Sequence, residues 1–147
     1  MEKSSHQLRE QARMLVRKLG LIERAGVECC GVTLPQCHAL VETGRRGALS
    51  GNELAGLLGL DKSTVSKTVD KLVTAGLLVR DADPQDRRYV VLKLTAQGMT
   101  FYNNIEEQME GYFSLALQAI PENKRTQVLE SLALLTEALP GAACCKR

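Results

Sequence analysis

The amino-acid sequence predicts a mainly α fold interrupted once by a small β-hairpin, and three observations predict it. Two short helical segments meet at Gly59, each preceded by an N-capping signal, Ser50-Gly-Asn-Glu53 and Asp61. Apolar runs at 77–79 and 89–94 bracket a turn-forming stretch at 81–88. Both ends of the chain repeat apolar residues at three- and four-residue steps without a neighbouring segment to bury them. Together these describe a winged helix-turn-helix with N- and C-terminal dimerisation helices.

Each element follows from local pattern. Leu8, Ala12, Leu15, Leu19 and Ile22 form one narrow stripe of a first helix, with Arg9, Glu10, Arg13 and Arg17 around its sides. A loop is expected through 29–31. Thr33-Leu-Pro-Gln36 then reads as a helix start: Thr33 caps, Gln36 reaches back, and proline sits where its missing N–H costs nothing. That helix should run to about Arg45, with Gly44 and Gly47 punctuating its end. Ser50 opens a short helix carrying Leu54, Ala55, Leu57 and Leu58, and Asp61 caps a helix over 62–75. In the latter, Val65, Val69, Leu72 and Val73 share a face, and Ser63, Thr64, Lys67, Asp70, Lys71 and Thr74 lie opposite. Gly76 ends it. After the hairpin, Thr95 starts a long helix with Ile105, Met109, Tyr112, Phe113 and Ala116, and Pro121 begins a last one with Val128, Leu132, Leu135 and Leu139. Paired terminal helices in a homodimer are the economical way to bury these seams.

Size and composition set outer limits. A chain of 147 residues with 44% apolar content makes one domain. It is read as a single unit over 1–147, with a DNA-binding region at 33–95, dimerisation helices at 5–25 and 96–139, and a cysteine-containing tail at 140–147. No apolar run approaches a membrane span, and the charged N-terminal segment does not resemble a signal peptide. A cytoplasmic protein with reduced thiols and no membrane partner is therefore expected. The formal net charge of +2 neither demands nor excludes nucleic acid.

Ala55, Gly59 and Val65 have the spacing a helix-turn-helix needs: a small residue for close approach, a glycine for the turn and an anchor in the second helix. The segment from Asn52 to Leu78, followed by Asp83-Pro-Gln-Asp-Arg-Arg88 and Val91-Leu-Lys-Leu-Thr95, resembles the multiple antibiotic resistance regulator (MarR) family over about 5–139. The resemblance implies a homodimeric DNA-binding repressor whose second short helix enters the major groove of double-stranded operator DNA. It also implies that Arg88 is a minor-groove arginine oriented by Asp86. Elementary chemistry agrees: arginine suits the negative potential of a narrow minor groove, and Ser63, Thr64 and Lys67 near the helix start can reach base edges or phosphates. Lys71 and Thr74 lie further along and suit backbone contacts. Arg87 is either a phosphate contact or a solvated charge. Twofold symmetry implies a pseudopalindromic operator with half-sites about 10 base pairs apart.

The cysteines stand outside this pattern. Cys29, Cys30 and Cys37 fall within nine positions, and Cys144 and Cys145 lie near the end. Cys37 shares a helix face with Leu34 and Val41, as a small buried hydrophobe would. Cys29 and Cys30 have no such packing reason in an expected loop, whereas the tail thiols can equally be inert. Five cysteines against two histidines select soft chemistry, so the expectation is an effector bound by thiolates, with trivalent arsenic or antimony, mercury, cadmium or copper(I) ahead of oxidation. A required cofactor is not expected. The alternatives are a hydroperoxide-sensing cysteine, as in one branch of the family, or a small aromatic ligand in the crevice between dimer and DNA-binding regions. His38 reads as a partly exposed helical residue, and no role falls to His6. A soft-metal carrier would share the thiols without needing Arg88. Enzymatic signatures such as Cys-x-x-Cys, His-Glu-x-x-His, Gly-x-Ser-x-Gly or a phosphate-binding glycine loop do not occur, so catalysis is not expected.

Overall fold

A computed structural model describes residues 1–139, with backbone only for Glu2, Glu23 and residues 26–30. Its elements run α1 (Glu2–Cys30), α2 (Leu34–Arg46), α3 (Gly51–Leu58), α4 (Lys62–Thr74), β1 (Leu78–Ala82), β2 (Val90–Leu94), α5 (Ala96–Gln118) and α6 (Glu122–Ala138). The fold is a mainly helical winged helix-turn-helix, and the chain divides into two compact units, residues 1–105 and a second beginning at Glu106.

In the first unit, helix starts are fixed by side chains that satisfy otherwise orphaned N–H groups. The Thr33 N–H donates to Gln36 Oε1 at 2.9 Å, and Ser50 and Glu53 exchange bonds of 2.6 and 3.1 Å. Between α3 and α4 the chain turns at Gly59, which takes φ 63°, a conformation costly for any residue with a Cβ. Leu40, Leu49, Leu54, Leu72 and Leu78 fill a common core drawn from α2, α3, α4 and the hairpin. Leu49 ties the loop before α3 to β2, exchanging backbone bonds of 3.2 and 2.7 Å with Leu92. Behind the hairpin, α5 starts flush against the chain: Gly98 lies under the Leu77 carbonyl, and the Thr95 hydroxyl donates to the Gly76 carbonyl.

The second unit contains the C-terminal part of α5 and α6. The Arg125 guanidinium donates to the carbonyls of Ile120 and Gln118 at 3.1 and 3.3 Å, closing the turn between the two helices. The rings of Tyr112 and Phe113 meet edge to face at 5.5 Å.

Two boundaries differ from expectation. The expected loop at 29–31 is mostly helix: α1 continues through Cys29 and Cys30, and the chain leaves it at Gly31, with φ 71°. Nothing before Gly31 removes a donor or forbids helical torsions, so the helix runs to the first residue that frees it. The hairpin tip is also displaced. Asp81 and Ala82 belong to β1 and pair with Val91 and Val90, so the turn occupies 83–89. Asp81 is held in the strand by Lys93, whose ammonium donates to its carboxylate at 2.9 Å. Its acidity is increased by that bond and by the Ala82 N–H.

Candidate nucleic-acid interface

Helix α4 has one face in the core and one in solvent. Val65, Val69 and Leu72 are buried, whereas Lys62, Ser63, Ser66, Lys67, Asp70, Lys71 and Thr74 are exposed. Its N-terminus is held by Asp61, which accepts the Thr64 N–H at 2.8 Å and the Thr64 hydroxyl at 2.6 Å. These two bonds, the hydroxyl's first, lower the Asp61 pKa, and the charged carboxylate complements the positive end of the helix. Thr64 is thus half-buried and its hydroxyl proton is committed to the cap, leaving oxygen lone pairs for another partner. Thr68 is buried, and its hydroxyl donates to the Thr64 carbonyl at 2.9 Å.

The wing presents a second cationic feature. Arg88 Nε donates to both Asp86 carboxylate oxygens at 3.0 and 3.2 Å, Nη2 donates to Oδ2 at 2.7 Å, and the Arg88 backbone N–H donates to Oδ1 at 3.1 Å. The guanidinium lowers the Asp86 pKa first, the backbone N–H second, and Asp86 in turn raises that of Arg88. Arg88 remains 84% exposed, so its long side chain is aimed without being buried. The loop beneath is rigidified by its own bonds: Asp83 N–H to the Tyr89 carbonyl, Tyr89 N–H to the Asp86 carbonyl, and Gln85 N–H to the Asp83 carboxylate. Arg87 is exposed.

Helix and wing adjoin across a cleft of about 240 Å³, where Lys62, Ser66 and Asn52 meet Arg80 and Val90. Lys62, Ser66 and Arg80 were not singled out by sequence pattern. For Ser66 the available signal was its three-residue step from Ser63, which places it on the same helical face.

Cys37 stands in the first turn of α2 and is half-buried, as are Leu34 and Val41, rather than closed in as a small buried hydrophobe would be. His38 is half-buried as well. The side chains of Cys29 and Cys30, and all of Cys144 and Cys145, lie outside the described residues, among which no group of three metal-ligating side chains occurs.

Residues 31–88 match the model of the MarR family. Over this winged helix-turn-helix region the chain is similar to the MarR family. MarR proteins regulate transcription by binding DNA rather than by catalysis, and this chain is a DNA-binding transcriptional regulator. It is 25% identical over 111 residues to the uncharacterized HTH-type transcriptional regulator YfiV of Bacillus subtilis, covering 76% of this chain and 69% of that one. A MarR family protein from Bacillus stearothermophilus has a similar fold, with a TM-score of 0.85, 22% identity and coverage of 93% of this chain and 96% of the other. The structure of NadR in complex with 4-hydroxyphenylacetate is similar with a TM-score of 0.70 and 26% identity, covering 88% of this chain and 89% of NadR. No helix among the described residues is long and apolar enough to cross a membrane.

Proposed function

We propose that this protein acts in the cytoplasm as a homodimeric repressor of the MarR type that holds a pseudopalindromic operator and releases it when an effector engages its cysteine thiols. The observation that carries the DNA-binding part is the exposed polar face of α4 beside a wing whose arginine is gripped by Asp86. In this reading α4 enters the major groove. Ser63 and Lys67 meet base edges or phosphates, Thr64 accepts through its remaining lone pairs, and Lys71 and Arg87 lie against the sugar-phosphate backbone. Arg88 enters the minor groove with Asp86 as its support. Homodimerisation is supported by exposed apolar side chains: Leu8, Leu15 and Val16 on α1, and separately Phe113, Leu132 and Leu139 in the second unit.

For the effector, support comes from the soft donor set and its sequence placement. α1 ends on Cys30, α2 begins at Leu34, and Cys37 sits in the first turn of α2, where partial positive charge favours thiolate. Trivalent arsenic or antimony, or a soft metal ion, is the effector class this set selects, with Cys144 and Cys145 as further donors. Any effector must favour one dimer geometry and so change the separation of the two recognition helices. A second reading, a small aromatic acid, draws on NadR in complex with 4-hydroxyphenylacetate.

The deciding experiment is a fluorescence-anisotropy titration of reduced protein on DNA from its own promoter. It is repeated with arsenite, antimonite, mercury, cadmium, zinc, copper(I), an organic hydroperoxide and salicylate, on the parent and a Cys29→Ser/Cys30→Ser variant. Release by a thiophile that the variant ignores supports the thiol effector. Release indifferent to the serines, or seen only with salicylate, transfers the effector to an aromatic site, and no affinity for the promoter sinks the operator reading altogether.

A further inference from the structure

Resting on the reading of Arg88 as a DNA contact, we propose that Arg80 is a positioning residue: through Asp70 it locks the wing to the recognition helix, so that both read DNA as one rigid unit. Asp70 lies on the exposed face of α4 and Arg80 in the middle of β1, and the Arg80 Nη2 donates to the Asp70 carboxylate across the junction. In the antiparallel register Arg80 stands opposite Leu92 and two residues from buried Leu78, so it starts from the core side of the hairpin. Its side chain lines the helix-wing cleft with Val65, Val69, Val90 and Leu92, leaving an apolar bed for the stem and a charged head at the rim.

Two features make this more than a surface ion pair. Asp70 is an acidic group on a helix face otherwise marked by Lys62, Lys67 and Lys71, a face proposed to meet a polyanion, where an uncompensated carboxylate would repel phosphate. The Arg80 guanidinium compensates it. The hairpin also has only two strands, and its tip is held by loop bonds among 83–89, so the angle of the tip to α4 depends on what ties β1 to the helix. Of the described side-chain hydrogen bonds, the Asp70–Arg80 bond is the one that joins α4 to the hairpin. A minor-groove arginine is useful only at a fixed distance and angle from the major-groove helix, so the tie acts on Arg88 without touching DNA.

A double-mutant cycle on operator binding tests it, with Arg88→Ala combined in turn with Arg80→Met, Arg80→Lys and Asp70→Asn. Arg88→Ala should cost about tenfold in the parent and about threefold or less in the Arg80→Met and Asp70→Asn backgrounds, a coupling expected of residues acting as one element. Arg80→Lys, which keeps the charge and most of the stem, should return the coupling toward the parent value. Asp70→Asn discriminates further. Acting through charge alone, it would tighten binding at low salt and leave the Arg88→Ala cost unchanged, and that result overturns the proposal. A full Arg88→Ala penalty in every background also overturns the tie while preserving the wing contact. Arg88→Ala without effect in the parent removes the wing contact and the tie together. If Arg80→Met fails to fold by circular dichroism, the conservative Asp70→Asn arm decides alone.

Discussion

Asp86 closes a fork on Arg88, taking its guanidinium on both carboxylate oxygens and its backbone N–H on one of them. The pair is only two residues apart, so the turn itself imposes the geometry and little additional chain ordering is needed to hold it. Arg88→Ala should lower operator affinity by about tenfold or more, at every position of the half-site that the wing spans. Asp86→Ala should cost less, because the charge remains while its aim is lost. Anisotropy titrations of both variants at one salt concentration check the order.

The acid groups of this region should keep their roles well below neutral pH. Asp61 and Asp86 have lowered pKa values, caused first by the Thr64 hydroxyl and by the Arg88 guanidinium. A carboxylate with a depressed folded-state pKa contributes stability above its unfolded value, about 3.9 for aspartate, and loses it as pH falls through the folded value. Cap and fork are therefore expected to be unchanged between about pH 8 and 5. Carboxyl-carbon chemical shifts of both residues, followed by NMR on acidification, should begin to move only below the ordinary aspartate value of about 3.9.

The junction of hairpin and α5 has no room for a side chain at Gly98. A Cβ there would lie 2.0 Å from the Leu77 carbonyl oxygen, in a segment also pinned by the Thr95 N–H to that same carbonyl at 3.1 Å. Backbone cannot yield as a flexible side chain does, so Gly98→Ala should destabilise by about 3 kcal/mol or more. Gly44→Ala makes an informative contrast. Its Cβ would meet the Tyr102 ring at 2.6 Å, and a ring can swing aside, so the expected cost is about 1–3 kcal/mol and falls in a Tyr102→Ala background. Urea unfolding of the variants measures both.

The DNA-binding region was legible because its signals are local. Caps at Ser50 and Asp61, the turn at Gly59 and the apolar repeat of Val65, Val69 and Leu72 each act within a few residues, and α3 and α4 begin, and the chain turns between them, where those residues require. The wing fork was legible only through resemblance, since nothing in spacing alone says that Asp86 will turn toward Arg88. Contacts across elements were not legible. That Arg80 would meet Asp70, that Lys93 would hold Asp81 in β1, and that the Leu77 carbonyl would exclude a Cβ from Gly98 all depend on how separate segments pack. The end of α1 differs for the opposite reason: the loop expected over 29–31 beside Gly31 begins two residues later, because neither cysteine interrupts a helical backbone.

The proposed dimer assembly can be separated from folding because neither Leu15 nor Leu132 belongs to the first unit's core. Leu15 on α1 is 39% exposed, and Leu132 on α6 is 42% exposed, while the core around Leu40, Leu54 and Leu72 closes without either. An interface built from such residues gains mainly from removing apolar surface from water, and a buried carboxylate in it would lack a partner. Leu15→Glu and Leu132→Glu should therefore leave helical content by circular dichroism near the parent value and shift the mass by light scattering from dimer to monomer. Operator binding should then fall by about 100-fold or more, because each half-site must be held without the effective concentration its neighbour supplies. Affinity for an isolated half-site should stay within about threefold, since α4 and the wing are intact. A variant that remains dimeric with both glutamates in place would remove these two leucines from the interface.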